Sequence, residues 1–191
     1  MENSTPGHPN VHQALEHLPL ETERLRLREL TLADAPFALE LVNDPSWIRF
    51  IGDRGIHTLD DARRYLREGP MASYAQFGLG LFLTELPESG IPIGLCGLLR
   101  RPTLDAPDIG FAFLPRFWGK GYAYEAAKAV IDWSEETHAF PLVLAITLEE
   151  NRSSIRLLEK LGLRFEKPVR QPGDEEELRL YARRWPDRIE K

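Results

Sequence analysis

The junction at residues 108–133, DIGFAFLP running into RFWGKGYAYEAAKAVIDW, restricts this chain more than any other stretch: an apolar strand ends at Leu114–Pro115, and Gly119 and Gly121 stand at the mouth of a helix. Glycine reaches backbone angles and close approaches denied to other residues. A helix mouth exposes unpaired N–H groups at the positive end of its dipole. The main-chain amides from about Phe117 to Ala123 can therefore bend around a phosphate or pyrophosphate, with Arg116 and Lys120 adding local positive charge. A tight strand-to-helix turn with no ligand explains the two glycines equally well.

The flanking pattern places this junction in an α+β domain. Thr22–Leu30 (TERLRLREL) alternates, with Leu25, Leu27 and Leu30 opposite Arg24, Arg26 and Arg28, which reads as a half-buried strand. Thr31 and Asp34 form a capping-box start for a helix carrying Leu32, Ala35, Leu39 and Val42 on one face. Residues 47–57 (WIRFIGDRGIH) read as an irregular loop around Gly52 and Gly55. Thr58 and Asp61 repeat the capping pattern before a second helix, continued by a short helical piece near Met71 to Gln76. Three apolar runs separated by PESG and RPTLDAP then predict an antiparallel meander. In the next helix Ala123, Ala126, Ala127, Val130, Ile131 and Ser134 make a narrow face of small side chains for close packing on a sheet. PLVLAITL is a strand covered on both faces, Asn151 starts a further helix ended by Gly162, and a hairpin closes the chain. The layout is β-α-α-β-β-β-α-β-α-β-β with one mixed sheet. It spans residues 21–185, between a loose polar arm (1–20) and a short tail (186–191).

Composition narrows the function classes. With 24 basic and 30 acidic residues the net charge is −6, against the basic surface that a nucleic-acid backbone demands. One cysteine, Cys96, excludes an internal disulfide and a cysteine-rich zinc site, and its apolar setting marks it as a core residue. His8, His12, His17, His57 and His138 show no metal-ligand spacing, so no metal is expected. No run is apolar and long enough to span a bilayer. The expectation is a cytoplasmic protein, a monomer or homodimer, with no nucleic-acid or membrane partner.

The nucleotide alternatives fit poorly. GKGYAY is a partial GxGxxG, but the third glycine position is Tyr124, the upstream chain lacks the required βαβ units, and no GxxxxGK[ST] occurs. RFWGKGYA does match the R/Q-x-x-G-x-G/A signature and resembles the GNAT family of N-acetyltransferases. DIGFAFLPRFWGKGYAYEAAKAVIDW, EENRSSIRLLEKLGLRFE and ETERLRLRELTLADA together resemble the branch of ribosomal-protein N-terminal (RimJ/RimL-like) acetyltransferases. The similarity covers roughly Glu21 to Trp185. It implies the GNAT fold, a twisted, mixed, mostly antiparallel sheet of about seven strands flanked by about four helices, and acetyl-CoA as cosubstrate without a metal. It assigns the pyrophosphate to the amides of Phe117, Trp118, Gly119, Lys120, Gly121 and Tyr122, with Arg116 and Ala123 beside them. It runs the pantetheine arm along Phe111, Ala112, Phe113 and Leu114, where main-chain N–H groups would polarise the thioester carbonyl.

The resemblance also implies catalytic candidates. Asp108 opens the thioester-bearing strand where this branch has an acidic residue, which makes it a base for the acceptor amine; the alternative is an ordinary strand-edge carboxylate. Many relatives place a tyrosine acid in a pattern like LYEKLGF, whereas this chain has LLEKLGL with Leu158 there. The NxxS of this branch is matched by Asn151 and Ser154, and Ser154 lies one helical turn before Leu158 on the same face. Ser154 is thus the candidate acid and Asn151 a pantetheine ligand; helix capping by Asn151 and a backbone-bonded hydroxyl on Ser154 are the plainer alternatives. Trp118 and Phe117 read as packing anchors. The acceptor, a small-molecule amine or a protein N-terminus, should meet residues 47–57, the second helix and the hairpin at 170–177. The acidic run at 174–177 reads as a solvated turn, with attraction of a cationic amine toward the nearby cleft as the alternative.

Overall fold

The computed structural model describes residues 19–137, 140–171 and 176–185. Strands β1 (Leu20–Glu21), β2 (Arg26–Arg28), β3 (Leu81–Leu86), β4 (Ile91–Leu99), β5 (Asp108–Phe113), β6 (Leu142–Leu148), β7 (Arg164–Val169) and β8 (Leu178–Arg184) form one sheet in the order β1-β2-β3-β4-β5-β6-β8-β7. All neighbours are antiparallel except β5 and β6. The mixed, mostly antiparallel α+β sheet is as expected. Its eighth strand is the two-residue β1, which pairs Leu20 with Leu27.

Helices α1 (Ala35–Val42), α2 (Pro45–Phe50), α3 (Leu59–Leu66), α4 (Ala72–Phe77), α5 (Tyr122–Glu136) and α6 (Arg152–Lys160) cover the sheet. Both capping boxes form: Thr31 and Thr58 each donate their amide to the carboxylate three residues on, at 2.8 and 3.1 Å. The second predicted helix is α3, which passes through a wide turn at Arg67–Met71 into α4. Pro70 sits in that turn, lacks an N–H for the helical ladder and is accommodated by the looser spacing.

Two expectations change. The first four residues of the loop assigned to residues 47–57 belong to helix α2. Asp44 caps it by accepting the Ser46 amide at 2.8 Å, Pro45 occupies the first turn, and Trp47 anchors it, only 6% exposed. The loop proper begins at Ile51. The first strand is also shorter than Thr22–Leu30, because Thr22 and Leu25 close a turn (amide of Thr22 to the Leu25 carbonyl, 2.9 Å). Leu25 and Leu27 enter the core cluster shared with α5 and α6, while Leu30, one step out of phase, joins the cluster under α1–α3. The first helix likewise buries Phe37, Ala38 and Leu41 with Ala35 and Val42, and leaves Leu32 exposed.

These two clusters occupy opposite faces of the sheet. Residues alternate between them along the central strands: Phe82 with the α5 side and Leu83 with the α1–α3 side, Cys96 with the former and Leu95 with the latter. Cys96 is fully buried, and burial pushes its thiol well up from the ordinary range. The small face of α5 packs as predicted, with Ala126, Ala127, Val130, Ile131 and Ser134 buried and Ala123 half-buried.

Candidate active site

The sheet opens at its centre. β5 and β6 run parallel but share a single bridge, Asp108 with Leu144, where the Leu144 amide donates to the Pro107 carbonyl at 2.9 Å. Beyond it the strands part. The Leu114 amide donates to the Ile93 carbonyl at 3.1 Å, so the even-numbered residues of this strand turn their main-chain groups toward β4. Phe111 and Phe113 therefore present theirs to the gap left by β6. Of the expected Phe111–Leu114 edge, Ala112 and Leu114 face the other way, and Leu114 is a core residue, 1% exposed.

A continuous cleft of about 1720 Å³ runs through this gap. Its walls include Phe111, Ala112, Phe113, Phe117, Trp118, Gly119, Gly121, Tyr122 and Ala123, together with Asp108, Asn151 and Ser154. Leu114, Arg116 and Lys120 lie outside its walls. Arg116 turns back to α1 and pairs with Glu40 at 2.5 Å, so the positive charge expected of it is already matched. Trp118 is no packing anchor. It is 51% exposed, and its indole donates to the Phe113 carbonyl at 2.6 Å, holding one of the free carbonyls of the gap.

Gly119 and Gly121 have φ of 74° and 84°, the left-handed region that glycine enters without strain. Phe117 and Trp118 spend their amides on a tight turn, donating to the carbonyls of Leu114 and Pro115 at 2.9 and 3.0 Å. The first helical bond of α5 is made by the Glu125 amide to the Gly121 carbonyl, at 3.0 Å. The amides from Gly119 to Tyr124 have no acceptor among the described residues. The run of unpartnered amides thus begins at Gly119, two residues later than the cradle expected from the sequence, because the turn before it consumes the first two donors.

Across the gap, Asn151 caps α6 through its carbonyl oxygen, which accepts the Ser154 amide at 3.1 Å. Its NH₂ group has no hydrogen-bond acceptor among the described residues. The Ser154 hydroxyl has no partner among the described residues and lines the cleft, whereas Leu158 one turn on is 1% exposed and sealed in the core. Asp108 is buried, with Arg101 Nε 3.0 Å from each carboxylate oxygen. Burial pushes its carboxyl up from the usual carboxylate range, and the Arg101 guanidinium only partly offsets that. A buried carboxylate that holds its proton more tightly is a stronger base than an exposed one.

The cleft wall where the acceptor was expected is formed by α2, α3, the loop between them and the chain after β4. Arg49, Arg54, Arg64 and Arg100 stand there beside Asp61 and Glu68, so the rim is mixed in charge rather than acidic. Glu176 lines the cleft, but Asp174 and Glu175 of the acidic run lie outside the described residues. His57 is exposed beside Asn43; the other histidines also fall outside the described residues. Among the described residues no group of His, Cys, Asp and Glu has the arrangement to hold a metal ion, and no helix is long and apolar enough to cross a membrane.

Sequence reasoning missed Arg24, Thr22, Glu125 and Arg101. Arg24 grips the Glu125 carboxylate through Nε and Nη2 at 2.7 and 2.5 Å and donates from Nη1 to the Lys120 carbonyl at 3.1 Å. Thr22 adds a 2.6 Å bond to Glu125. The alternation sets Arg24 opposite Leu25 and Leu27, and it is indeed exposed, but its partners are not legible there. Contacts across about a hundred residues leave no local pattern, although an acid in the first turn of α5 was a visible cue.

Comparison with known proteins agrees with the geometry. The family model described as an acetyltransferase (GNAT) domain matches residues 24–164. The chain is 26% identical over 147 residues to the uncharacterized N-acetyltransferase YnaD of Bacillus subtilis strain 168, covering 77% of this chain and 83% of that protein. The crystal structure of an acetyltransferase from Agrobacterium tumefaciens strain C58 superposes with a TM-score of 0.74 at 29% identity, covering 97% and 99% of the two chains. RimL, a ribosomal L7/L12 alpha-N-protein acetyltransferase in complex with coenzyme A, shares the fold at 16% identity, with a TM-score of 0.75 over 87% of this chain and 97% of that one. The match over most of the chain and the parted strands beside a glycine loop lead to one conclusion: this protein is an N-acetyltransferase of the GNAT domain family.

Proposed function

We propose that the protein moves an acetyl group from acetyl-CoA to a primary amine by direct attack on the thioester. The observation that carries this reading is the single β5–β6 bridge, beyond which the main-chain groups of Phe111 and the amide of Phe113 open beside the unpartnered amides of Gly119–Tyr124, with the Phe113 carbonyl held by Trp118. That combination suits a ligand with a pyrophosphate at one end and an amide-bearing arm leading inward. The coenzyme A complex of the RimL neighbour supports the same ligand.

Bound there, acetyl-CoA supplies the carbonyl carbon to which the amine nitrogen bonds as the carbon–sulfur bond breaks. Amides of Gly119–Tyr124 hold the pyrophosphate, and the NH₂ of Asn151 meets the arm. The Phe111 amide, fixed in the sheet, stabilises the oxyanion without reorganising. Asp108 accepts the proton that the nitrogen loses, directly or through water. Ser154 relays a proton to the departing thiolate and regains one from water. Cys96 is buried away from the gap, so no acyl-cysteine step is invoked.

Acetyl-CoA or CoA at a hundred times its Kd should stabilise the protein by about 2.7 kcal/mol and raise Tm by roughly 5–10 °C, while NAD and ATP leave it unchanged. A shift with NAD alone overturns the reading. CoA release over a panel of amines and N-terminal peptides then identifies the acceptor, and no turnover on any of them would count against transfer to an amine.

A further inference from the structure

The glycine loop is held from behind. Arg24 does not line the cleft, yet it touches three parts of the loop and helix mouth: the Lys120 carbonyl at 3.1 Å, the Glu125 carboxylate, and the face of Tyr122, 4.9 Å from the ring centroid. A side-chain carbon placed on Gly121 would lie 3.4 Å from Arg24 Nη2, so the guanidinium rests against the loop backbone. Its own amide donates to Glu125 at 3.0 Å, which ties the strand start and the helix start into one unit.

We infer that Arg24 is the residue that sets the direction of the 120–121 peptide, and with it the cofactor affinity of the loop; this rests on the acetyl-CoA reading above. A trans peptide is planar, with C=O and N–H pointing to opposite sides. Arg24 holds the Lys120 carbonyl on the side away from the cleft. The Gly121 N–H is thereby sent to the side that Gly119, Gly121 and Tyr122 line. With φ of 84° and only Arg24 near the place a side-chain carbon would take, Gly121 has little steric bar to the flipped peptide, which would aim a carbonyl oxygen at the phosphates. Preorganisation is therefore supplied by a side chain about a hundred residues upstream. Glu125 orients that side chain and leaves its Nη1 for the loop.

The test is CoA affinity by calorimetry, with Tm and steady-state kinetics, for the wild type, Arg24→Lys, Arg24→Ala and the Arg24→Ala/Glu125→Gln double variant. Loss of the strap should weaken CoA binding by roughly tenfold to a hundredfold, as small misplacements of a binding group do. KM for acetyl-CoA should rise further than kcat falls, with KM for the amine little changed. Lysine, which cannot hold Glu125 and the Lys120 carbonyl together, should recover only part of the loss. The double variant separates peptide direction from charge balance, since it leaves no unpaired carboxylate at the helix mouth. If it binds CoA like the wild type, or if Arg24→Ala does, the inference is overturned. Equal losses in kcat and both KM values together with a lower Tm would also overturn it, as general destabilisation. A folded wild type that fails to bind CoA defeats the acetyl-CoA reading itself, and the inference with it.

Discussion

Two arginine–carboxylate pairs, one behind the glycine loop and one at the β5–β6 bridge, differ in what burial does to the acid. Beside the glycine loop Arg24 meets Glu125 with side chains 45% and 18% exposed; at the start of β5 Arg101 meets Asp108 at 34% and 2%. Burial raises the pKa of both acids. For Glu125 the hydrogen bonds from Thr22 and Arg24 outweigh it and the carboxyl falls below its usual range; for Asp108 burial wins. Glu125 is thus a fixed anion whose proton chemistry is finished, suited to positioning. Asp108 holds a proton more readily than an exposed carboxylate does. The same pairing of residue types leaves one carboxyl lowered and the other raised, which suits the first to bracing and the second to the base role proposed above.

The comparison breaks most directly at Asp108. Asp108→Asn should lower kcat by about 10²–10⁴, the usual worth of a general base, with KM for acetyl-CoA nearly unchanged; an unchanged kcat would make Asp108 a structural partner of Arg101. Ser154→Ala should cost about 10²-fold at the low end of the same range, read as CoA release on the best acceptor. Next comes Arg101→Met. Its guanidinium lowers the pKa of Asp108, so its removal raises that pKa further, and the base becomes deprotonated only at higher pH. The acid limb of kcat/KM should move up by about one pH unit, and a downward shift would contradict the assignment. The smallest effect is expected at Glu125→Gln, which keeps an acceptor for Thr22 and Arg24 and loses only a partly exposed charge. CoA affinity should fall by about twofold to fivefold, with the pH profile in place. A shift of that profile by Glu125→Gln would erase the distinction between the pairs.

Much of the fold was legible because its signals are local. Thr31 and Thr58 capped where the pattern placed them, Gly162 took its left-handed turn at φ of 85°, and the small face of α5 found the sheet. Helix α2 was obscured by the glycines that follow it, although Asp44–Pro45 is a helix start once Trp47 has a pocket to fill. In the site, Gly119, Gly121, Asn151 and Ser154 lay on the cleft because each stands at an element end, where motifs are written in sequence. Arg116 and Lys120 were assigned by proximity along the chain, and their side chains do not line the cleft; Arg116 instead answers Glu40.

The chain's own order of residues determined that a strand must end at Pro115, that two glycines must open α5, and that Asn151 must start α6. These are properties of neighbouring backbone groups, decided within a few residues. The tertiary structure alone decided which amides remain free, which carboxylate keeps a proton to exchange, and which arginine stands behind the loop. Those outcomes depend on strand parting, on burial and on contacts between residues about a hundred apart, and dielectric surroundings and long-range partners have no representation in a local pattern.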